Sequence, residues 1–274
     1  MTDSLQSLLA RLAHQPAVLV HVEATQGSAP RDAGAWMAVL AQEVIGTMGG
    51  GHLEFQAIEQ ARTLLAAHKG QASAEHVMRF ALGPSLGQCC GGVVHLRFEP
   101  VSACDAPALA ARLRVSRTPV ALFGGGHVGH ALAGVLQPLP FALHWIDSRD
   151  GVFPPGLPAH VTCEHSEPVH AAVPSLAAGS RVLIMSFSHA EDLDVLAACL
   201  QRQRAQADLP YIGLIGSKTK WAAFQKRLLA RGFSPDELAR VVCPIGLPGI
   251  PGKEPEVIAV AVAAQLLQVR IPAA

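Results

Sequence analysis

A chain that reads Pro119-Val-Ala-Leu-Phe-Gly-Gly-Gly-His-Val-Gly129 has few folds open to it. Val120 and Phe123 suit a pleated strand, the apolar run stops at Gly124, and a helical pattern begins after His127. Strand, tight turn and helix follow, with Gly124, Gly126 and Gly129 on the G-x-G-x-x-G spacing of dinucleotide-binding units. In such units the glycines let the backbone turn sharply, let a phosphate come close and let helix pack on strand. The phosphate sits on the helix N-terminus, where free N–H groups and the dipole favour negative charge. The next expected strand, 141–146, ends at Asp147, close to the ~20-residue distance at which an acid meets a ribose hydroxyl. The alternative keeps the topology and gives the glycines a packing role only.

Two further apolar runs, 181–186 and 211–216, read as buried parallel strands, and a weaker one lies near Val161. Together they predict an α/β fold: a C-terminal Rossmann-like parallel sheet of five or six strands with helices on both faces, plus a smaller N-terminal α/β domain. Ligands of such sheets bind beyond the carboxyl ends of the strands. That rule makes His189 and Asp192, after the first run, candidate contacts, along with Lys218 after the second. Ser188 and Glu191 have the spacing of a capping box, which accounts for both without a ligand. Lys218 lacks the Walker spacing, so ATP hydrolysis is not indicated.

Residues 1–100 read as the smaller domain, 101–118 as a proline-punctuated linker, and 119–274 as the Rossmann-like domain. Three glycine-bearing loops mark the first. The loop 25–31 presents Arg31, whose planar fork suits an anion, or which is a surface residue after a turn. Gly49-Gly-Gly-His52 opens a helix and is a second candidate anion site, flanked by His52 and Glu54. In the third, Cys89 and Cys90 stand side by side before Gly91 and Gly92. Backbone N–H groups bared by such glycines lower a thiol pKa, and thiolates are soft ligands suited to sulfur-rich or transition-metal partners. The alternative is that both thiols fill a small buried corner. The other four cysteines of the six read as core or strand residues.

Lys plus Arg equals Asp plus Glu at 21 each, so no basic face for nucleic acid is implied. The longest apolar run, 257–267, is shorter than the ~20 residues a bilayer span needs. No basic, apolar leader is visible at the N-terminus, so a cytoplasmic protein with reduced thiols is expected. A homodimer is expected because twofold oligomers are common.

With these residues in place, the chain resembles the XdhC/CoxI family, the accessory factors of xanthine dehydrogenase. The likeness rests on Gly27-Ser-Ala-Pro-Arg31, Gly49-Gly-Gly-His-Leu-Glu54, Gly87-Gln-Cys-Cys-Gly-Gly92, Phe123-Gly-Gly-Gly-His-Val-Gly129, Trp145-Ile-Asp-Ser-Arg149, Gly213-Leu-Ile-Gly-Ser-Lys-Thr-Lys220, and Pro244-Ile-Gly-Leu247 running on to Gly252-Lys253. The resemblance implies a carrier of the molybdenum cofactor (molybdopterin) rather than an enzyme. Such a carrier shields the cofactor while a cysteine desulfurase exchanges an oxo ligand for sulfur, then passes it to a xanthine dehydrogenase-type molybdenum hydroxylase. It implies Cys89 or Cys90 as metal ligand or sulfur relay, Gly124, Gly126, His127 and Gly129 as a phosphate cradle, and Asp147 as a partner for a hydroxyl or pterin nitrogen. A dinucleotide fingerprint with an acid also suggests ribose, hence a nucleotide such as NAD. The rival reading is therefore an NAD(P)-dependent oxidoreductase using Cys89, Cys90 or His189.

Overall fold

The computed structural model describes residues 2–67, 76–82 and 91–269. The chain divides into two compact units, 1–115 and 116–274.

The first unit is built on an antiparallel sheet of β1 (Ala17–Gln26), β2 (Trp36–Val39), β3 (Val44–Gly46), β4 (His76–Ala81) and β5 (Val93–Val101), in the order β3-β2-β1-β5-β4. Side chains alternate across a strand, so β1 feeds two cores. Val18, Val20 and Val22 pack with Leu53, Ala57 and Ala61 of α2 (Gly51–Ala67). Ala17 and Leu19 pack with Leu5, Leu8 and Leu12 of α1 (Thr2–Leu12) on the other face. That second core also takes Val101 and Leu109, the latter from α3 (Ala106–Arg112). Most of the stretch expected to be a linker, 101–118, therefore belongs to the first unit: β5 runs on to Val101 and α3 buries its leucine against α1.

The second unit carries a six-stranded sheet ordered β11-β10-β9-β6-β7-β8. Its strands are β6 (Thr118–Phe123), β7 (Phe141–Asp147), β8 (Val161–His165), β9 (Arg181–Ile184), β10 (Tyr211–Leu214) and β11 (Val241–Val242), and every pairing is parallel. The chain starts in the middle, steps out one way through β7 and β8, then returns to the other side of β6 for β9. The reversal puts a switch point beside β6, where doubly wound sheets open a crevice. Val120 and Leu122 share one core with α4 (His127–Leu136) and α8 (Pro255–Gln268). Ala121 and Phe123 share the opposite core with α5 (His189–Gln206) and α6 (Lys218–Ala230). This is the sequence expectation of a Rossmann-like sheet with helices on both faces, realised with six strands. A short helix, α7 (Pro235–Leu238), opens on the capping box of Ser234 and Glu237.

Candidate functional site

The glycine turn sits where its spacing requires. Gly124 has φ of +125°, and a Cβ there would stand 2.0 Å from the Met185 carbonyl beyond β9. A Cβ on Gly129 would stand 2.1 Å from the Gly124 carbonyl, so α4 closes on the turn only because Gly129 has none. The same carbonyl accepts the indole N–H of buried Trp145 at 2.9 Å. Gly126 differs from both: a Cβ there meets nothing within 4 Å.

Gly126 is also the N-cap of α4 and supplies no side-chain acceptor, whereas Ser188 and Ser217 cap α5 and α6 with their hydroxyls. The first-turn N–H groups of α4 are thus left for another acceptor. His127 and Gly126 are exposed there. A cleft of about 550 Å³ adjoins them, lined by His127, His130, Ala131, Pro255 and Glu256.

Asp147 departs from the ribose-binding expectation. It is 1 % exposed, and the protein itself fills its carboxylate. Oδ1 accepts from the Arg149 backbone N–H at 2.8 Å and from Arg149 Nε at 2.9 Å. Oδ2 accepts from the Gly125 N–H and from Arg149 Nη2 at 2.9 Å. A carboxylate has about four lone-pair sites, and four donors occupy them. Burial pushes this carboxyl upward, but the Arg149 and Gly125 hydrogen bonds outweigh it and hold the pKa below its ordinary value. Asp147 is therefore a clamp that ties the glycine turn to the loop after β7, with no acceptor left for a ribose diol. Arg149, so held, lies over the Phe187 ring at 4.6 Å from its centroid.

After β9, Ser188 accepts from the Glu191 N–H at 3.2 Å, but the reciprocal half of the expected capping box is missing. The Glu191 carboxylate reaches instead to the Ser148 hydroxyl at 2.8 Å, joining α5 to the loop that carries Arg149. His189 opens α5 as expected; it is exposed and meets Phe224 edge-on. Asp192 is buried and accepts from the Ser186 N–H at 2.7 Å and from Lys220 Nζ at 2.6 Å. Burial raises its pKa in spite of that lysine. Lys218, the cation singled out from sequence, is exposed; Lys220, one half-turn on, is the one turned inward. Sequence spacing held a usable sign of this, because N3 of a helix looks back over its own N-terminus.

In the first unit, the glycine loops come together at one end of the sheet. β1 and β3 end there and β5 begins there. A Cβ on Gly92 would stand 2.2 Å from the Ser28 carbonyl, and one on Gly49 2.6 Å from Pro30 Cβ and 3.3 Å from Arg31 Cγ. Arg31 and Gly91 thus border one loop cluster. Its expected anion pocket at 49–52 is already filled, however. Glu54 Oε2 accepts from Thr47 Oγ1 at 2.6 Å, the Met48 N–H at 2.8 Å and the Gly50 N–H at 3.0 Å. Burial works against this carboxylate, yet those three donors keep its pKa below the ordinary value. His52 is exposed, stacked on Phe55 and within 3.2 Å of Gln56. Cys89 and Cys90 lie outside the described residues. Among the described residues no cluster of His, Cys, Asp and Glu is arranged to hold a metal, and no helix is long and apolar enough to cross a membrane.

An antiparallel α/β unit followed by a Rossmann unit with an open α4 terminus defines a two-part protein of the dinucleotide-fold class. The family profile described as "XdhC Rossmann domain" matches residues 120–266, and that of the "XdhC and CoxI family" matches residues 10–80. The chain belongs to the XdhC/CoxI family. It is 26% identical over 256 residues to the uncharacterized protein YqeB of Escherichia coli (strain K12), across 93% of this chain and 44% of that protein. It thus spans less than half the length of that relative. A crystal structure described as a xanthine dehydrogenase from Bacillus halodurans superposes with a TM-score of 0.78 at 21% identity, over 97% of this chain and 95% of the other. At that identity the likeness is one of fold.

Proposed function

We propose that the protein is an accessory factor in the maturation of xanthine dehydrogenase-type molybdenum hydroxylases, and that it carries molybdopterin-type cofactor rather than turning over a substrate. The observation that carries this reading is the state of Asp147. A Rossmann fold that binds NAD keeps the acid after its second strand free for the ribose diol, whereas here all four acceptor positions are spent on Gly125 and Arg149. What stays open is the α4 N-terminus with its adjoining cleft, which suits a ligand with a terminal phosphate. Membership of the XdhC/CoxI family supports the same direction.

The residues present fit such a group. The N–H groups at Gly126, His127 and Val128 would take its phosphate, with space above Gly126 for close approach. Cys89 and Cys90 are proposed as its soft ligands on chemical grounds, thiolates being suited to a sulfur-rich metal centre. When bound, the cofactor supplies the molybdenum at which a desulfurase exchanges oxygen for sulfur. The protein's own part is to bind, orient and exclude water. Cysteine desulfurase and the apo-hydroxylase are the proposed partners, and the cytoplasm, with a homodimeric state, the proposed setting.

The test is to purify the protein from cells that make molybdopterin and identify the bound small molecule by mass spectrometry. A pterin is expected, at much lower occupancy after Cys89→Ala or Cys90→Ala. Recovery of NAD alone, unchanged by either substitution, would replace this reading with that of an oxidoreductase.

A further inference from the structure

Phe187 is 66% exposed, and it is the one aromatic among the exposed large apolar residues described in the second unit. It stands at the crest of the sheet, two residues past Met185, whose backbone N–H bonds the Phe123 carbonyl and whose own carbonyl closes on Gly124. Exposure of an aromatic ring on this scale costs hydrophobic stabilisation unless something covers it.

One face is already covered. The Arg149 guanidinium lies 4.6 Å from the ring centroid, and two hydrogen bonds from its Nε and Nη2 to buried Asp147 fix its orientation. Arg149 follows β7 and Phe187 follows β9, the two strands that flank β6. Their contact therefore spans the end of β6, directly beside the glycine turn. The Asp147–Arg149–Phe187 chain is rigid from its buried end outward, and Arg149 Nη1 has no partner among the described residues.

We propose that Phe187, backed by Arg149, is the stacking platform for a flat, conjugated heterocycle, namely the ring of the ligand whose phosphate sits at α4. This rests on the cofactor reading above and assigns the ring a place of its own. Stacking on an aromatic face accepts any planar ring, the conjugated ring of a pterin among them. The guanidinium polarises the ring it covers, and the opposite face receives the ligand.

The experiment titrates the full chain with a fluorescent pterin bearing a side-chain phosphate, and in parallel with AMP, in wild type, Phe187→Leu and Phe187→Trp. Phe187→Leu is expected to bind the pterin phosphate about tenfold more weakly, the typical loss for one stacked base. Phe187→Trp is expected to keep the affinity and to show quenching of its indole emission on binding. All three proteins should melt together, because the ring is largely solvent-exposed. Wild-type affinity in Phe187→Leu overturns the platform and leaves the cofactor reading standing. Binding of AMP alone, with the same dependence on Phe187, supports the platform and overturns the cofactor reading. If wild type binds neither heterocycle, both are overturned.

Discussion

Replacing Asp147 with asparagine separates a structural clamp from a ribose ligand more sharply than any other change. The asparagine amide offers one oxygen and one NH2 where the carboxylate offers two oxygens. Turned either way, the NH2 faces two N–H donors: the Arg149 backbone and Nε on one side, or Gly125 and Arg149 Nη2 on the other. Keeping the oxygen on buried Gly125 is the cheaper choice, and it abandons the two donors at Oδ1. Losing two charge-assisted bonds and weakening two others, part of it discounted because the Arg149 side chain is 34% exposed, costs about 3 kcal/mol. For a unit of this size that lowers the melting temperature by roughly 6–12 °C. Circular dichroism melts from pH 3 to 8 would read it. The pKa of Asp147 lies below its unfolded value, so its contribution is complete above about pH 4 and is lost as pH falls through the folded value. The asparagine variant should therefore converge on wild type at the acid end. A melting temperature within about 2 °C of wild type at pH 7, with a loss of nucleotide affinity instead, would refute the clamp and restore the ribose role.

Lys220→Met strands the Asp192 carboxylate, 3% exposed, and should cost roughly 3–5 kcal/mol at pH 8 in urea unfolding, part of it recovered by adding Asp192→Asn. Because the Asp192 pKa is raised, the folded state holds the proton longer, so the variant's stability should fall as pH rises from the ordinary carboxylate range through the raised value; a flat profile between pH 4 and 8 would count against this. Glu54→Ala removes the acceptor of three donors at the start of α2 and should destabilise the first unit by about 2 kcal/mol, while Glu54→Gln, which keeps an oxygen there, should cost less than half of that. In the alanine variant the emptied nest should take sulfate, read as a melting temperature that rises with sulfate but not with chloride.

Short-range chemistry was legible in the order of residues. The Gly124, Gly126 and Gly129 spacing, the apolar runs of β6, β7, β9 and β10 and the serine caps of α5 and α7 each depend on neighbours within one or two turns. They placed the sheet, its helices and the open glycine turn before α4. The likeness of seven motifs to XdhC/CoxI proteins pointed to a family that the profile matches bear out. What stayed hidden was which polar group each candidate would spend itself on. Asp147 and Asp192 end up satisfied because strand order 11-10-9-6-7-8 sets β7 beside β6 and β10 beside β9, bringing Gly125 to the first and Lys220 to the second, and no local pattern records that order. The same holds for Glu54, which turns back to fill the nest that glycine spacing had suggested for a ligand. It holds also for α3, drawn into the first unit by the leucines of α1. Sequence determined where backbone donors could open onto a ligand; only the tertiary structure decided which were already satisfied, because a buried polar group takes the nearest partner the fold brings to it.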